Sequence, residues 1–463
     1  MAPSFFLTRV LAALDQGGPA VLFHHENGVT TYREAHDILL RLYGGLDGFG
    51  GSGPMIAIDA RNRPETVLAQ LAAQLRGAEV LLVAASSSRP ARAAVLASTG
   101  AELLTDEHLD RLAAARPSTP DSLPAGVTTV FPSGGTTGAP KLIRHSGIYD
   151  GMAQIFAPDP SGPGRILVTA PLTHMTGNAA VLGAILCGHT VVLRNTFDAE
   201  RLLSDIAGHG VTSLSLTPPR LGAVLDSPAL ATTDLSSVRS LSLGAAPLSP
   251  RRLAEALEVF GPVVGQGYGL TEAPMIAAIS AAELIGRPER LGSVGRIVPG
   301  MEARIEDGQV LVRGLSMMDG YQDHPPIGAG WLPTGDLGRF DEEGYLYLTD
   351  RAGDVIVTGE HGTKVASTTV EHALLAHPQV RAAAVFGVPG PGGEGERVHA
   401  VVVVNGPLAP GDLREHVRAE LGGEHFVPSE VDFTTELPLT AVGKVDKRSL
   451  RAPFWAGHER GIA

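Results

Sequence analysis

Apolar residues in the first two thirds of the chain form short runs typical of buried strands, and these runs alternate with longer segments of helical spacing. Residues 55–58 and 80–83 predict strands. Between them, 64–75 predicts a helix that begins with proline, a residue suited to a first helical turn. This order favours a parallel sheet covered by helices. Further predicted elements repeat it, with strands at 165–170, 190–193, 212–216 and 238–243 and a helix at 251–260.

The pattern changes after about residue 300, where short predicted strands follow one another with turns such as Asp307-Gly308 between them. These strands lie at 303–305, 309–313 and 345–348. The final segment predicts helices at 368–376 and 412–421 and strands at 382–388 and 398–404. Residues 86–90 and 115–124 predict loops.

The length of 463 residues exceeds what a single hydrophobic core usually serves, so more than one domain is expected. We expect an α/β fold in which a large N-terminal domain, residues 1–352, contains several sheets with parallel strands and helices. A small α+β C-terminal domain is expected to cover residues 353–463.

Composition and charge exclude a nucleic-acid binder, because the formal net charge is −13 and only 5% of the residues are aromatic. Residues 1–14 are apolar but contain Arg9, so they predict an amphipathic helix rather than a signal peptide. No apolar run approaches the roughly 20 residues of a membrane span. We therefore expect a cytoplasmic protein. The single cysteine, Cys187, lies in an apolar stretch and is expected to be buried filler rather than a nucleophile.

Residues 133–141 read Ser-Gly-Gly-Thr-Thr-Gly-Ala-Pro-Lys and follow a strand predicted at 128–131. Small residues let backbone N–H groups approach a polyphosphate, and the hydroxyls and the lysine add donors and charge. The spacing differs from that of the common P-loop. The segment therefore predicts a different kind of phosphate-binding loop, with these candidate residues: Ser133, Gly134, Gly135, Thr136, Thr137, Gly138 and Lys141.

Four further segments follow in order. They are Gly-Gln-Gly-Tyr-Gly-Leu-Thr-Glu at 265–272, 331–336 followed by Gly-Tyr-Leu at 344–346, Asp-Arg-Ala-Gly-Asp at 350–354, and Pro-Leu-Thr-Ala-Val-Gly-Lys at 438–444. Together with 133–141 they resemble the core motifs of the acyl-adenylate-forming superfamily. That superfamily comprises acyl-CoA synthetases, aryl-acid adenylating enzymes, luciferases and the adenylation domains of peptide synthetases. The resemblance extends from roughly residue 30 to residue 450.

The resemblance implies a ligase that uses ATP and Mg²⁺ to convert a small carboxylic acid into its acyl-adenylate, with loss of pyrophosphate. The acyl group then passes to a thiol, which we expect to be that of coenzyme A. Joining a carboxylate to an α-phosphate brings two anions together, so the site must neutralise charge and hold an in-line geometry.

The resemblance also implies a role for each matching residue. Lys444 is expected to bridge the acid's carboxylate and the ribose-phosphate oxygens. Glu272 is a hard oxygen ligand expected to bind Mg²⁺ together with Thr136. His174 matches the position that gates the acyl pocket, although a buried core histidine is the alternative. Thr271 and Thr136 are expected to contact the phosphates, and Asp336 and Arg351 to contact the ribose. Tyr268, within Gly267 to Gly269, is expected to stack on adenine. Gly244, Ala245 and Ala246 are expected to form a wall against adenine and the acyl group.

The superfamily's C-terminal domain is a mobile lid, and the resemblance places the hinge at Gly353. Glycine stands there in place of the usual Asp or Lys, and its wide φ/ψ range still permits rotation. The stretch 359–365, which would line the path of the thiol, is about two residues longer than usual. Ser367 and Thr369 stand where the family often has Pro and Glu.

The identity of the acid stays open between aryl and aliphatic. Met175 follows His174 where aryl-acid enzymes often have Asn, and 216–219 near the presumed pocket favours neither class. The position that carries Asp in enzymes of α-amino acids has none, which disfavours an amino-acid substrate.

Three hypotheses therefore stand. The first is an acid–CoA ligase. The second is an adenylating enzyme with another acceptor: a carrier protein, an amine or another small nucleophile. No carrier segment follows residue 450, so we expect any acyl carrier protein to be separate. The third is a catalytically silent ligand-binding homologue, which the presence of Lys141, Glu272, Asp336 and Lys444 disfavours.

Overall fold

The computed structural model describes residues 2–47, 49, 55–133, 141–322, 324–328, 330–358, 362–390, 395–440 and 443–456. Most of the predicted phosphate-binding loop lies outside these ranges. Gly134, Gly135, Thr136, Thr137 and Gly138 therefore stay predictions, as does any role of the Ser133 side chain. Residues 359–361 of the predicted thiol path also lie outside them.

Helices and strands alternate through the first two thirds of the described chain. The first group is α1 (Phe5–Gly17), β1 (Val21–His25), β2 (Gly28–Thr31), α2 (Tyr32–Gly45), β3 (Met55–Ala60), α3 (Pro64–Leu75), β4 (Glu79–Ala84), α4 (Arg89–Thr99), β5 (Glu102–Leu104), α5 (Asp106–Ala113), β6 (Thr129–Ser133), β7 (Lys141–His145) and α6 (Gly147–Ile155). The second is β8 (Arg165–Val168), α7 (Met175–Leu186), β9 (Thr190–Leu193), α8 (Ala199–His209), β10 (Ser213–Leu216), α9 (Pro218–Leu225), β11 (Ser240–Gly244), α10 (Pro250–Phe260), β12 (Val264–Tyr268), β13 (Ala277–Ile279), α11 (Ala281–Leu284) and β14 (Arg296–Ile297).

The remaining elements begin with a run of strands. These are β15 (Met301–Glu306), β16 (Gln309–Gly314), β17 (Gly320–Tyr321), β18 (Leu332–Phe340) and β19 (Leu346–Arg351). The C-terminal elements are β20 (Ile356–Thr358), β21 (Thr363–Val365), α12 (Ser367–Ala376), β22 (Val380–Pro389), β23 (Glu396–Val404), α13 (Pro410–Leu421), β24 (Glu430–Phe433) and α14 (Lys447–Arg451).

Four sheets organise the described residues. The largest has the order β14-β13-β12-β11-β10-β8-β9-β1-β2, and its strands from β12 to β1 run parallel. A second has the order β17-β7-β6-β4-β3-β5 with a parallel centre. β15-β16-β18-β19 is antiparallel, and the C-terminal strands form a mixed sheet of their own. The predicted α/β class with parallel sheets, helices and a smaller C-terminal part is confirmed.

Helix α3 lies inside the main core, and its bounds match the prediction. Nearly all of its residues are buried, including Gln70 and Gln74. Both glutamine side chains donate hydrogen bonds to the Thr129 hydroxyl, at 3.3 Å from Gln70 and 3.0 Å from Gln74. Buried amides need such partners. The core around α3 contains residues of both parallel sheets, such as Ile58 and Val191, so the helix joins the two layers.

One loop prediction was too long. Residues 86–90 were expected to be a loop, but α4 already begins at Arg89. The Ser88 hydroxyl accepts a hydrogen bond from the Ala91 N–H, and Pro90 lies in the first turn, where a missing N–H costs nothing.

Cys187 is buried, as predicted. Within the described ranges, no helix combines the length and apolarity needed to cross a bilayer.

Candidate active site

Several of the predicted site residues lie at one edge of the largest sheet. β12, β11, β10 and β8 are parallel neighbours, so their carboxyl ends meet at the same edge. His174 follows β8, Ala245 follows β11, and Tyr268 ends β12 shortly before Thr271 and Glu272. In open α/β sheets this edge is where ligands bind.

The backbone at this edge is closely packed. A Cβ atom on Gly244 would lie 2.5 Å from the Gly267 carbonyl oxygen, and one on Gly269 would lie 2.2 Å from that of Pro274. Only glycine fits at either position. Ala245 has a φ of 69°, which alanine rarely adopts. Such strained backbone clusters at functional sites. The role of this segment as an adenine wall stays a prediction.

Asp336 joins two of the predicted motifs. Its Oδ2 accepts a hydrogen bond from the Tyr268 hydroxyl at 2.6 Å, and its Oδ1 accepts one from Arg351 Nε at 3.0 Å. Arg351 is also the cross-strand neighbour of Asp336 between β18 and β19. Each carboxylate oxygen keeps a free lone pair, so Asp336 can still accept two further hydrogen bonds from a ligand.

Glu272 is held by a residue that the sequence did not reveal. The Tyr321 hydroxyl donates to Glu272 Oε1 at 3.1 Å, and the Lys141 ammonium lies 5.1 Å from the centre of the Tyr321 ring. Burial, and then the Glu272 charge, raise the pKa of Tyr321 to about 12, so it stays a neutral donor. Among the described ion pairs none includes Glu272. A half-buried carboxylate with one neutral donor fits a Mg²⁺ ligand.

A buried histidine fixes the backbone before Glu272. His145 Nε2 donates to the Thr271 carbonyl oxygen at 2.6 Å. Burial lowers the pKa of His145, so the ring is neutral near pH 7 with its proton on the donating nitrogen. His145 was not predicted as a site residue, and it orients Thr271 from the second sheet.

Lys444 lies within this cluster. Burial lowers the pKa of its ammonium and the Arg351 charge acts in the same direction, whereas Asp336 and Glu272 oppose them. The ammonium is therefore within electrostatic range of these three charged groups. Burial also lowers the pKa of His174 to about 4, with a further contribution from the Lys444 charge. The structure thus brings residues from five separate segments together.

The loop that carries Lys444 docks on α9. The Thr217 hydroxyl donates to the Gly443 carbonyl oxygen at 2.9 Å. Gly443 has a φ of 75°, and a Cβ there would lie 2.8 Å from Arg220 Nε. Glycine is therefore required at this contact. Neither Thr217 nor Arg220 was predicted as a site residue, and the only signal was the Thr-Pro-Pro sequence near the presumed pocket.

A second, more extensive contact crosses the predicted hinge. Asp350 precedes Gly353, and its carboxylate accepts hydrogen bonds from the Ser367 N–H at 2.5 Å and the Ser367 hydroxyl at 3.1 Å. Lys447 Nζ contacts Ser367 Oγ at 2.9 Å and Glu371 Oε1 at 2.7 Å. The carboxylates of Glu371 and Asp350 raise the pKa of Lys447 despite its burial, so it stays charged. We call Asp350, Ser367, Glu371 and Lys447 the hinge network.

Comparison with known proteins identifies the family. The family model described as AMP-binding enzyme matches residues 110–322, and the AMP-binding enzyme C-terminal domain matches 369–444. A feruloyl-CoA synthase from an Amycolatopsis species is 32% identical over 94% of this chain and 96% of that protein. The chain belongs to the AMP-binding enzyme family. A medium/long-chain-fatty-acid–CoA ligase of Mycobacterium tuberculosis is 35% identical over 71% of this chain, and that match spans 62% of the ligase.

Solved structures of other AMP-binding enzymes share the fold. An amide bond synthetase from Marinactinospora thermotolerans superposes with a TM-score of 0.84 and 31% identity, covering 98% of this chain and 100% of that one. An o-succinylbenzoate CoA synthetase of Bacillus subtilis, solved with its acyl-adenylate intermediate, gives a TM-score of 0.80 and 28% identity over 97% and 98% of the two chains. The predicted resemblance is confirmed, and this AMP-binding enzyme is an ATP-dependent adenylating enzyme.

Proposed function

We propose that this enzyme joins a small carboxylic acid to coenzyme A through an acyl-adenylate, using ATP and Mg²⁺. One observation carries the proposal: the Gly443 carbonyl oxygen, directly before Lys444, accepts a hydrogen bond from Thr217 of the N-terminal part at 2.9 Å. This contact puts the buried Lys444 ammonium within electrostatic range of Asp336, Arg351, Glu272 and His174. A positive charge delivered to that position meets the need to bring a carboxylate and a phosphate together.

In the first step a carboxylate oxygen of the acid bonds to the α-phosphorus, and the bond from that phosphorus to the bridging oxygen breaks to release pyrophosphate. Lys444 holds the two anionic reactants together, and Asp336 and Arg351 orient the ribose. Glu272 and Thr136 would hold Mg²⁺, which supplies positive charge for the leaving pyrophosphate. His174, with a pKa of about 4, is neutral near pH 7 and lines the acid pocket without a charge.

The second step requires the lid, residues 353–463, to move about Gly353. Two observations support this boundary. β19 ends at Arg351 in the antiparallel N-terminal sheet, whereas β20 begins at Ile356 in the C-terminal sheet. Gly353 lies in an exposed turn between them. After rotation, the thiol would attack the acyl carbon and AMP would leave, with the strand β21 lining the path.

The first test measures acid-dependent pyrophosphate release across a panel of aryl and aliphatic acids. We expect Lys444→Ala to lower adenylation by about 100-fold, the scale of a lost charge that is positioned for a transition state. Arg414→Ala, on the exposed face of α13, is the matched control and should leave the rate unchanged. A near-normal rate for Lys444→Ala would contradict the role. No pyrophosphate release with any acid would favour the silent homologue.

A second candidate, transfer to an amine, is favoured by one observation. The amide bond synthetase shares the fold over nearly the whole length of both chains. Preformed adenylate should be mixed with coenzyme A or with amines, and its consumption followed. Consumption by coenzyme A supports the ligase, whereas consumption by amines alone would establish the second candidate. A separate acyl carrier protein is tested in the same assay by offering its phosphopantetheine thiol.

A further inference from the structure

Arg220 is a buried arginine whose described contacts include no carboxylate. It is 9% exposed. Its Nη1 lies 3.2 Å from the Thr169 hydroxyl and 3.4 Å from the Thr169 carbonyl oxygen, and the guanidinium lies 5.1 Å from the centre of the Phe197 ring. These neutral groups do not balance its charge.

The other buried arginines of the described chain are paired. Arg194, 7% exposed, lies 2.6 Å from Asp205, and Arg252, 8% exposed, lies 2.9 Å from Asp226. Burial lowers the pKa of Arg220, and no acidic neighbour offsets this effect. Because an unpaired buried charge is costly, an arginine retained in this state is expected to receive its counter-charge from a ligand.

The position of Arg220 indicates which ligand. It lies in the first turn of α9, directly after β10, and Thr169 directly follows the neighbouring strand β8. Both therefore lie at the sheet edge that carries His174. Arg220 Nε also packs against Gly443, the residue before Lys444, because a Cβ atom on Gly443 would lie 2.8 Å from it. The guanidinium is thus close to the place where the acid must meet the catalytic ammonium.

We propose that Arg220 binds a second carboxylate of the substrate, so that the enzyme's preferred acids are dicarboxylic. One carboxylate is activated beside Lys444, and the other is held by Arg220. The Nε and Nη2 groups have no hydrogen-bond acceptor among the described residues, and this pair of donors matches the two oxygens of a carboxylate. This inference rests on the proposed adenylation and specifies its substrate class.

The test compares each dicarboxylic acid with its own monomethyl ester, which keeps the shape and removes one charge. Aliphatic diacids of graded length and aromatic diacids form the panel, and kcat/KM is measured by pyrophosphate release. We expect wild type to prefer at least one diacid over its ester by about 10- to 100-fold, the range of a charge-assisted hydrogen-bonded pair. Arg220→Met should abolish this preference, and Arg220→Lys should restore part of it.

A control separates substrate binding from docking of the Lys444 loop. Thr217→Val removes the hydrogen bond to Gly443 and should slow all acids alike, which keeps the diacid-to-ester ratio. Arg220→Met would behave in the same way if Arg220 only supported the loop, and that outcome would overturn the inference. Equal rates for diacids and esters in wild type would also overturn it while leaving adenylation intact. If no acid releases pyrophosphate, the proposed function itself fails.

Discussion

At the scale of single residues, most of the candidate site could be predicted because its residues lie in ordered motifs. Tyr268, Asp336, Arg351 and Lys444 were all named from the sequence, and the structure brings them together. Tyr321, His145 and Arg220 could not be predicted, since each reaches the site through strand pairing or burial rather than through a local pattern. Tyr321, for example, is placed by the pairing of β17 with β7.

The His174 ring should report on the charge of Lys444. Burial and then the ammonium hold the pKa of His174 at about 4, below its ordinary value of 6.5. Lys444→Met removes the charge, so we expect the pKa to rise. The measurement is a pH titration of ¹³C-labelled histidines by NMR, with His174→Gln to assign the signal. An unchanged pKa would mean that the ammonium is remote from the ring in solution.

The same depressed pKa has a consequence for stability. As pH falls below about 6.5 the unfolded chain binds a proton at this position before the folded protein does, so stability is lost between pH 6.5 and about 4. Above pH 6.5 the folded protein keeps all of the stability that the neutral His174 contributes. His174→Gln should reduce the loss of stability in this range, as measured by denaturant unfolding at several pH values.

At the scale of elements, pattern and capping residues decided what could be predicted. α3 was predicted with its correct bounds because helical spacing and Pro64 agree. The polar strand β18 was not predicted as a strand, because its motif residues interrupt the alternation that marks one. Helix α12 begins at Ser367, a position where the family often has proline.

Ser367→Pro should release the lid. Proline is tolerated at a first helical position, so the change removes the two donors to Asp350 with little backbone strain. We expect adenylation to slow and thiol transfer to become faster relative to it, because the lid leaves the Lys444 position more easily. Single-turnover rates of adenylate formation and adenylate consumption measure the ratio. Ser367→Ala keeps the N–H and should give an intermediate ratio, and identical ratios in all three proteins would contradict the prediction.

At the scale of the whole molecule, the order of the two parts follows from the sequence, but their docking does not. The C-terminal part, which we propose to be the lid, is held by side chains that contact distant backbone and a distant carboxylate. Arg251 of α10 donates to the carbonyl oxygens of Leu375 at 2.7 Å and Val380 at 2.9 Å, and Arg381 pairs with Asp226 at 3.0 Å. No local pattern specifies such partners.

Arg251→Ala should open the lid measurably. Two charge-assisted hydrogen bonds are lost, and we expect the ratio of closed to open lid to fall by about tenfold or more. Arg381→Ala removes an exposed pair of the kind that contributes about 0–1 kcal/mol, so its effect should be small. Distances between fluorophores on the two parts, together with the adenylation rate, measure both changes. Equal effects of the two substitutions would contradict this ranking.

The hinge network also determines where this protein can be recombined with a relative. A chimaera joined at residue 352 would take Asp350 from one parent and Ser367 with Lys447 from the other. A parent with proline at position 367 would leave the buried Asp350 carboxylate without both of its Ser367 donors, a defect of at least about 1–3 kcal/mol, while Lys447 keeps Glu371. A junction before Asp350 takes all three residues from the same parent. The chimaera should therefore be joined upstream of Asp350 rather than at the predicted hinge, Gly353.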